Sequence, residues 1–331
     1  MASSMTHRQR LENCIAGEKP DRPPVALWRH FPVDDQDPLL LAAATLDFQQ
    51  RYDFDFIKVT PASSFSTRDW GVKDVWIGST EGNRKYTQRV IQHPDDWLKL
   101  QVLDPTQGSL GSQLKCLAVI NQNVEKHTPF IQTVFSPLSV AKYLIGEKEL
   151  LVQLRCYPEA VHAGLITITK TIQRFIQAAL QTGIAGVFYA VQFAQYSLLS
   201  EDEFAAFGRF YDLQVLESVQ KSWFNVIHLH GLNVMLKQVA DYPVQVVNWH
   251  DRETLPTLAE AKTIFPGALC GGLRSWDTMV LGSPEDVVAE ANDALQTTNG
   301  HRFILGTGCV SSNVTPHGNL MAARHAVEKS L

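Results

Sequence analysis

Eight short apolar runs, separated by stretches with helical spacing, constrain this chain more than any other feature. They are residues 25–28, 54–59, 129–135, 186–192, 225–231, 244–249, 268–273 and 302–308. Runs of this length, apolar throughout, suit parallel strands buried on both faces. Helical patterns lie between them, among them residues 38–52, 110–123, 158–182, 201–223, 232–240, 255–264, 284–297 and, after the last run, 318–328. Strand–helix alternation without a long linker implies an α/β chain folded as a single (β/α)8 TIM barrel over residues 1–331. A doubly wound open sheet is the alternative, but no glycine-rich fingerprint follows the first run. Thr6 is placed to cap an opening helix that Gly17 stops. Trp70, Val75–Ile77 and Thr87–Val90 predict a hairpin excursion.

Composition narrows the classes of function. At 331 residues the chain is long enough to bury a core without staples. A net charge of −5 gives no basic bias toward nucleic acid or a membrane surface. No apolar run approaches the roughly 18 residues of a membrane span. Met1–Met5 runs straight into a charged helical pattern, unlike a signal peptide. Cys14, Cys116, Cys156, Cys270 and Cys309 are few and scattered. They fit reduced thiols in a cytoplasm better than a disulfide framework.

In a barrel of this kind the chemistry lies at the C-terminal ends of the strands. Those tips offer Arg29 and His30, Lys58 and Thr60, Ser136, Gln192, His228 and His230, His250 and Asp251, Cys270 and Arg274, and Cys309, with Tyr143 just past the third strand. His228 and His230 stand two residues apart, so their side chains face one side. A thiolate from Cys309 would complete a zinc site with one open position. Cys270 competes for that position, or is simply a small buried hydrophobe. Arg29 suits a bidentate clamp on a carboxylate or phosphate, or an ion pair at the rim. Lys58 suits an anion, or a pair with Asp55 or Asp69. Thr60, Gln192, Asp251 and Arg274 are substrate-binding candidates, and Arg29, Tyr143 and His250 catalytic ones.

The opening Arg8-x-Arg-Leu and Gly17-Glu-Lys-Pro-Asp-Arg-Pro-Pro-Val25, and the closing Arg302-Phe-Ile-Leu-Gly-Thr-Gly-Cys309 with Thr315-Pro-x-x-Asn319, resemble the uroporphyrinogen decarboxylase superfamily. Ser136-Pro137 before Tyr143, Asn248-Trp249 and Gly271-Gly-Leu273 keep the same order, so the resemblance spans about residues 6–329. It implies the same barrel. It also implies one of two chemistries. The decarboxylases of the superfamily act on tetrapyrrole acetates without a cofactor. Arg29 and Tyr143 match their cleft residues, but the second arginine is replaced within His30–Val33, and no acid stands near Thr60. The other branch contains zinc-dependent methyltransferases that move a methyl group from a corrinoid protein to a thiol. Their His-x-Cys pair and downstream Gly-Cys are matched by His228-Leu-His230, with His for Cys, and by Gly308-Cys309.

The reading that follows is a zinc-dependent methyltransferase-like enzyme with a small-molecule substrate, and a corrinoid protein as the implied partner. Zinc would be held by His228, His230 and Cys309. Metal-free decarboxylation of a tetrapyrrole or other polycarboxylate is the alternative, and a corrinoid- or tetrapyrrole-binding protein without turnover a second one. A homodimer is left open.

Overall fold

Asp55 shows how the N-terminal segment is tied to the sheet. In the computed structural model, which describes residues 5–328, its fully buried carboxylate accepts from Arg10 Nη1 at 2.6 Å, Arg22 Nη1 at 2.7 Å and the Val25 backbone N–H at 2.7 Å. It also lies 2.9 Å from His7 Nδ1. Arg10 stands on the first helix, His7–Ala16, which Thr6 caps through a reciprocal bond with Gln9. Gly17 ends that helix at φ 78°, and Arg302 donates to the carbonyls of Ile15 and Ala16. The two chain-end motifs therefore meet as one structural lock.

The strands are β1 Ile57–Val59, β2 Lys73–Trp76, β3 Arg84–Gln88, β4 Phe130–Phe135, β5 Gly186–Val191, β6 Val226–Leu229, β7 Val246–Trp249, β8 Ala268–Leu273 and β9 Phe303–Thr307. Seven form one curled, all-parallel sheet in the order β1-β4-β5-β6-β7-β8-β9, while β2 and β3 form the expected antiparallel hairpin. Every residue of the seven parallel strands is buried. That explains their unbroken apolar runs: helices cover the outer face and side chains fill the inner one. Among the described residues no helix is long and apolar enough to cross a membrane.

The sequence implied eight strands in a closed barrel, and the structure corrects this to seven. Residues 25–28 reduce to a single parallel bridge between Val25 and Leu305. The reason is local. Pro23 and Pro24 have no N–H to give, and the N–H of Val25 is taken by the Asp55 side chain. The bridge is made by Leu305 N donating to Pro24 O and Ala26 N donating to Leu305 O, both at 2.9 Å, while on the other side Val25 O accepts from Asp55 N, at 2.9 Å.

Two helical stretches also differ from expectation. The pattern at 201–223 becomes Glu201–Phe204, a π-helical turn over Ala205–Arg209, and Phe210–Glu217. The Phe204 ring lies against Gly208, where an added Cβ would meet it at 2.5 Å. The pattern at 232–240 shortens to Leu236–Val239, because Gly231 and Asn233 adopt positive φ just after β6.

Candidate metal centre

Parallel register brings the site together. His228 on β6 is the direct neighbour of Asn248 on β7, which in turn neighbours Cys270 on β8. His230 and His250 follow immediately after the ends of β6 and β7, and Cys309 lies two residues past β9. One ligand atom each from His228, His230, His250 and Cys309 falls within 4.8 Å of all the others. Cys309 Sγ is 3.7 Å from His228 Nε2 and 3.9 Å from His230 Nδ1. A tetrahedral zinc with ordinary Zn–S and Zn–N bonds needs about 3.6 Å between such atoms. The donor set therefore fits zinc in type, and the two Cys309 distances lie within about 0.3 Å of that spacing.

The outward nitrogens are held as metal-bound imidazoles usually are. His228 Nδ1 lies 2.7 Å from Asn248 Oδ1, and His250 Nδ1 lies 3.2 Å from Glu253 Oε2. His250 Nε2 is buried without a partner. Burial alone would raise the Cys309 thiol, but the three surrounding imidazoles hold it well below the ordinary thiol range. Burial lowers His228, whereas His250, opposed by burial, is raised to about 10 by Cys309 and Glu253. Gly308 makes the approach of Cys309 to His250 feasible: a Cβ there would stand 2.6 Å from His250 Cα and 2.8 Å from Trp249 O.

Three of these candidate donors open onto a cavity of about 350 Å3, lined at its inner end by His228, His230 and Cys309. Lys58, Thr60, Tyr143 and Gln192 line it further out, with His30, Arg84, Tyr86 and Lys142. Such a volume suits a small molecule. Lys58 is buried with its Nζ 4.6 Å from the Phe188 ring centroid and 3.2 Å from Thr60 Oγ1. Burial lowers it to about 7. Neither acid suggested for it is free, since Asp55 serves the N-terminal lock and Asp69 accepts from the N–H groups of Ser109 and Leu110. No carboxylate pairs with Lys58 among the described residues. Lys142, lowered by burial to about 8, lies over the Tyr143 ring. Tyr143 stacks on Tyr86 of the hairpin with centroids 5.2 Å apart. The Oε1 of Gln192 and the Nδ1 of His30 are buried without partners.

Other expected residues lie elsewhere. Arg29 sits over the rings of Phe31 and Phe48, beside a separate small cavity. Asp251 turns its carboxylate onto the N–H of Gly272, and burial raises it to about 7. Arg274 pairs with Glu290. Cys270 is fully buried behind Gly306, outside the four-donor group. His30, one of the expected strand-tip residues, lines the cavity, and the residues not anticipated at the site are Asn248 and Glu253 behind the imidazoles, and Arg84, Tyr86 and Lys142 along the cavity. A buried asparagine in the middle of an apolar run was the one signal for Asn248.

The hairpin roofs this cavity. Arg84 bonds Asp74 Oδ1 at 2.6 Å, and Tyr86 Oη lies 2.8 Å from Ser63 Oγ. At the hairpin tip Thr80 O accepts from Asn313 N at 2.7 Å and Ser312 Oγ at 2.9 Å. The roof is thus fastened to the loop that carries Cys309.

A parallel-sheet α/β fold with a His/Cys centre at its C-terminal mouth defines the class. Residues 6–330 match the family described as uroporphyrinogen decarboxylase (URO-D), and the chain belongs to that family. The chain is similar to the methylcobamide:CoM methyltransferase MtbA of Methanosarcina mazei, at 22% identity over 249 residues, covering 73% of this chain and 72% of that one. Among solved structures, a methyltransferase from Methanosarcina mazei superposes with a TM-score of 0.85 at 19% identity, covering 98% of this chain and 99% of that chain. A B12-independent methionine synthase from Shewanella, in complex with selenomethionine, gives 0.62 at 12% identity, covering 93% and 97%. At these identities the structures establish the likeness of fold.

Proposed function

We propose that this protein is a zinc-dependent methyltransferase that activates a thiol acceptor, with a corrinoid protein as the source of the methyl group. The observation that carries the reading is the gathering of His228, His230, His250 and Cys309, three of which, His228, His230 and Cys309, line the inner end of a small-molecule cavity. His250 joins the three donors expected from the sequence. Zinc there would supply Lewis acidity, lowering the pKa of a thiol so that it is a nucleophile near neutral pH.

The chain's own residues account for binding and orientation. Lys58 and Lys142, neither paired with a carboxylate among the described residues, offer cationic groups along the cavity to an acidic part of the acceptor. Trp28, Phe135, Tyr143 and Phe188 wall it with rings that exclude water. Asn248 and Glu253 hold two of the imidazoles. The methyltransferase names of MtbA and of the solved Methanosarcina mazei protein support the same reading. The cavity does not bring Arg29 to Tyr143, so the decarboxylation alternative gains no support from it.

The test is metal content together with transfer. Protein purified without a histidine tag is expected to carry close to one zinc, and His228→Ala to lose it. Methylcobalamin with a panel of acidic thiols should show thiol-dependent loss of its methyl–cobalt absorbance. Less than about a tenth of an equivalent of zinc, or metal unchanged in His228→Ala, would sink the proposal.

A further inference from the structure

Asn248 is buried at the centre of the sheet, and all of its hydrogen-bonding capacity toward the protein is directed. Its Oδ1 faces His228 Nδ1 at 2.7 Å. Its Nδ2 donates to Cys270 O at 2.9 Å and to Thr307 O at 3.0 Å. The two carbonyls fix the orientation of the amide: turned over, it would set its oxygen against two acceptors and its NH2 against the imidazole. With Oδ1 toward the ring, Nδ1 of His228 must carry the proton. Nε2 is then the bare nitrogen, and it faces Cys309.

The same amide reaches the opposite side of the centre. Thr307, whose carbonyl it holds, donates from Oγ1 to Cys309 O at 2.6 Å. One side chain on β7 therefore touches His228 on β6 directly and reaches Cys309 through Thr307 on β9.

We infer that Asn248 is a positioning residue of the metal centre: it imposes the metal-facing tautomer on His228 and sets the distance between His228 and Cys309. The inference rests on the metal reading above, and goes beyond it by assigning the order of the site to a group that touches no metal. Loss of such outer partners typically weakens metal binding 10–100-fold.

The experiment compares wild type, Asn248→Leu and Asn225→Ala by zinc competition with a chromophoric chelator. Asn225 is the matched control, a buried asparagine at the other end of the β6 segment that accepts from Val187 N and donates to Val219 O. Asn248→Leu is expected to lose about 10–100-fold in zinc affinity, with weakened thiolate-to-cobalt absorption in the Co(II) form. Asn225→Ala is expected to lose thermal stability but keep its affinity. In parallel, nitrogen NMR of histidine-labelled, metal-free wild type at pH 8 should show His228 as the Nδ1–H tautomer. An Asn248→Leu affinity within twofold of wild type overturns the inference, and so does a wild-type Nε2–H tautomer. The NMR result decides it even where the variant fails to fold. Wild type that binds no zinc overturns the metal reading instead, and the tautomer still decides the role of Asn248.

Discussion

Replacing Gly308 with alanine is a one-atom test of how the centre is built. The backbone there is not in the left-handed region, so alanine meets no conformational penalty of its own. The conflict is purely steric. The new Cβ would stand 2.6 Å from His250 Cα and 2.8 Å from Trp249 O, both backbone atoms that cannot rotate away. Ordinary contact begins at 3.4 Å, so the Cys309 loop must retreat by about 3.4 − 2.6 = 0.8 Å. The Cys309–His228 and Cys309–His230 spacings of 3.7 and 3.9 Å already slightly exceed the about 3.6 Å of a shared zinc. A retreat of that size takes them well outside. Overpacking of this kind costs about 1–3 kcal/mol of stability. Zinc affinity should fall by at least tenfold, well beyond what that loss would cause at a distant site. Gly318, near the start of helix His317–Ala326, is the control: its Cβ would meet nothing closer than 3.8 Å. Chelator competition and thermal unfolding on Gly308→Ala and Gly318→Ala read both effects. Gly308→Ala with zinc affinity within twofold of wild type would refute the close-approach argument.

Three further outcomes follow from named groups. His7, which burial would lower but Asp53 and Asp55 raise to about 9, contributes stability fully present below its unfolded value of 6.5 and lost as pH rises through 9. The stability gap between wild type and His7→Gln should shrink by up to about 3 kcal/mol across that window, and a constant gap would contradict the assignment. Lys58→Met should raise the stability of metal-free protein at pH 6 by up to about 4 kcal/mol, with the gain fading toward pH 10, because burial lowers Lys58 to about 7. A lower melting temperature at pH 6 would mean that the ammonium is better compensated than its surroundings suggest. Cys156 is exposed and Cys309 half-buried, while Cys14, Cys116 and Cys270 are buried. A thiol reagent should therefore label two groups rapidly in metal-free protein and one after zinc loading; equal counts would exclude Cys309 as a ligand.

Much of this architecture was legible in the sequence, and the departures have physical causes. Runs buried on both faces announced the parallel strands. Residues 25–28 looked the same and are not a strand, because an acid 30 positions downstream takes the N–H of Val25. No local pattern shows such a partner. At the site, the two-residue spacing of His228 and His230 marked them as a pair, whereas His250 as a fourth donor emerged only from register and the curl of the sheet. Asp251 shows the opposite failure: a carboxylate at a strand tip looks available until its bond to Gly272 is visible. Lys58 is a third kind. Its suggested acids are chemically reasonable, but both were already engaged elsewhere, a matter of bookkeeping across the whole fold.

The lock around Asp55 carries a consequence for how such a chain can change. Arg10, Arg22 and Arg302, which help to make it recognisable at its ends, tie the opening helix and turn to the sheet and contribute no donor to the centre. The four candidate donors arrive at the C-terminal ends of three strands, His228 within β6 and His230, His250 and Cys309 just past β6, β7 and β9, outside that brace. A side chain at the centre can then be exchanged without loosening the brace. Foldability and reactivity are specified by separate sets of residues, which lets one scaffold explore new chemistries while its architecture stays under independent control.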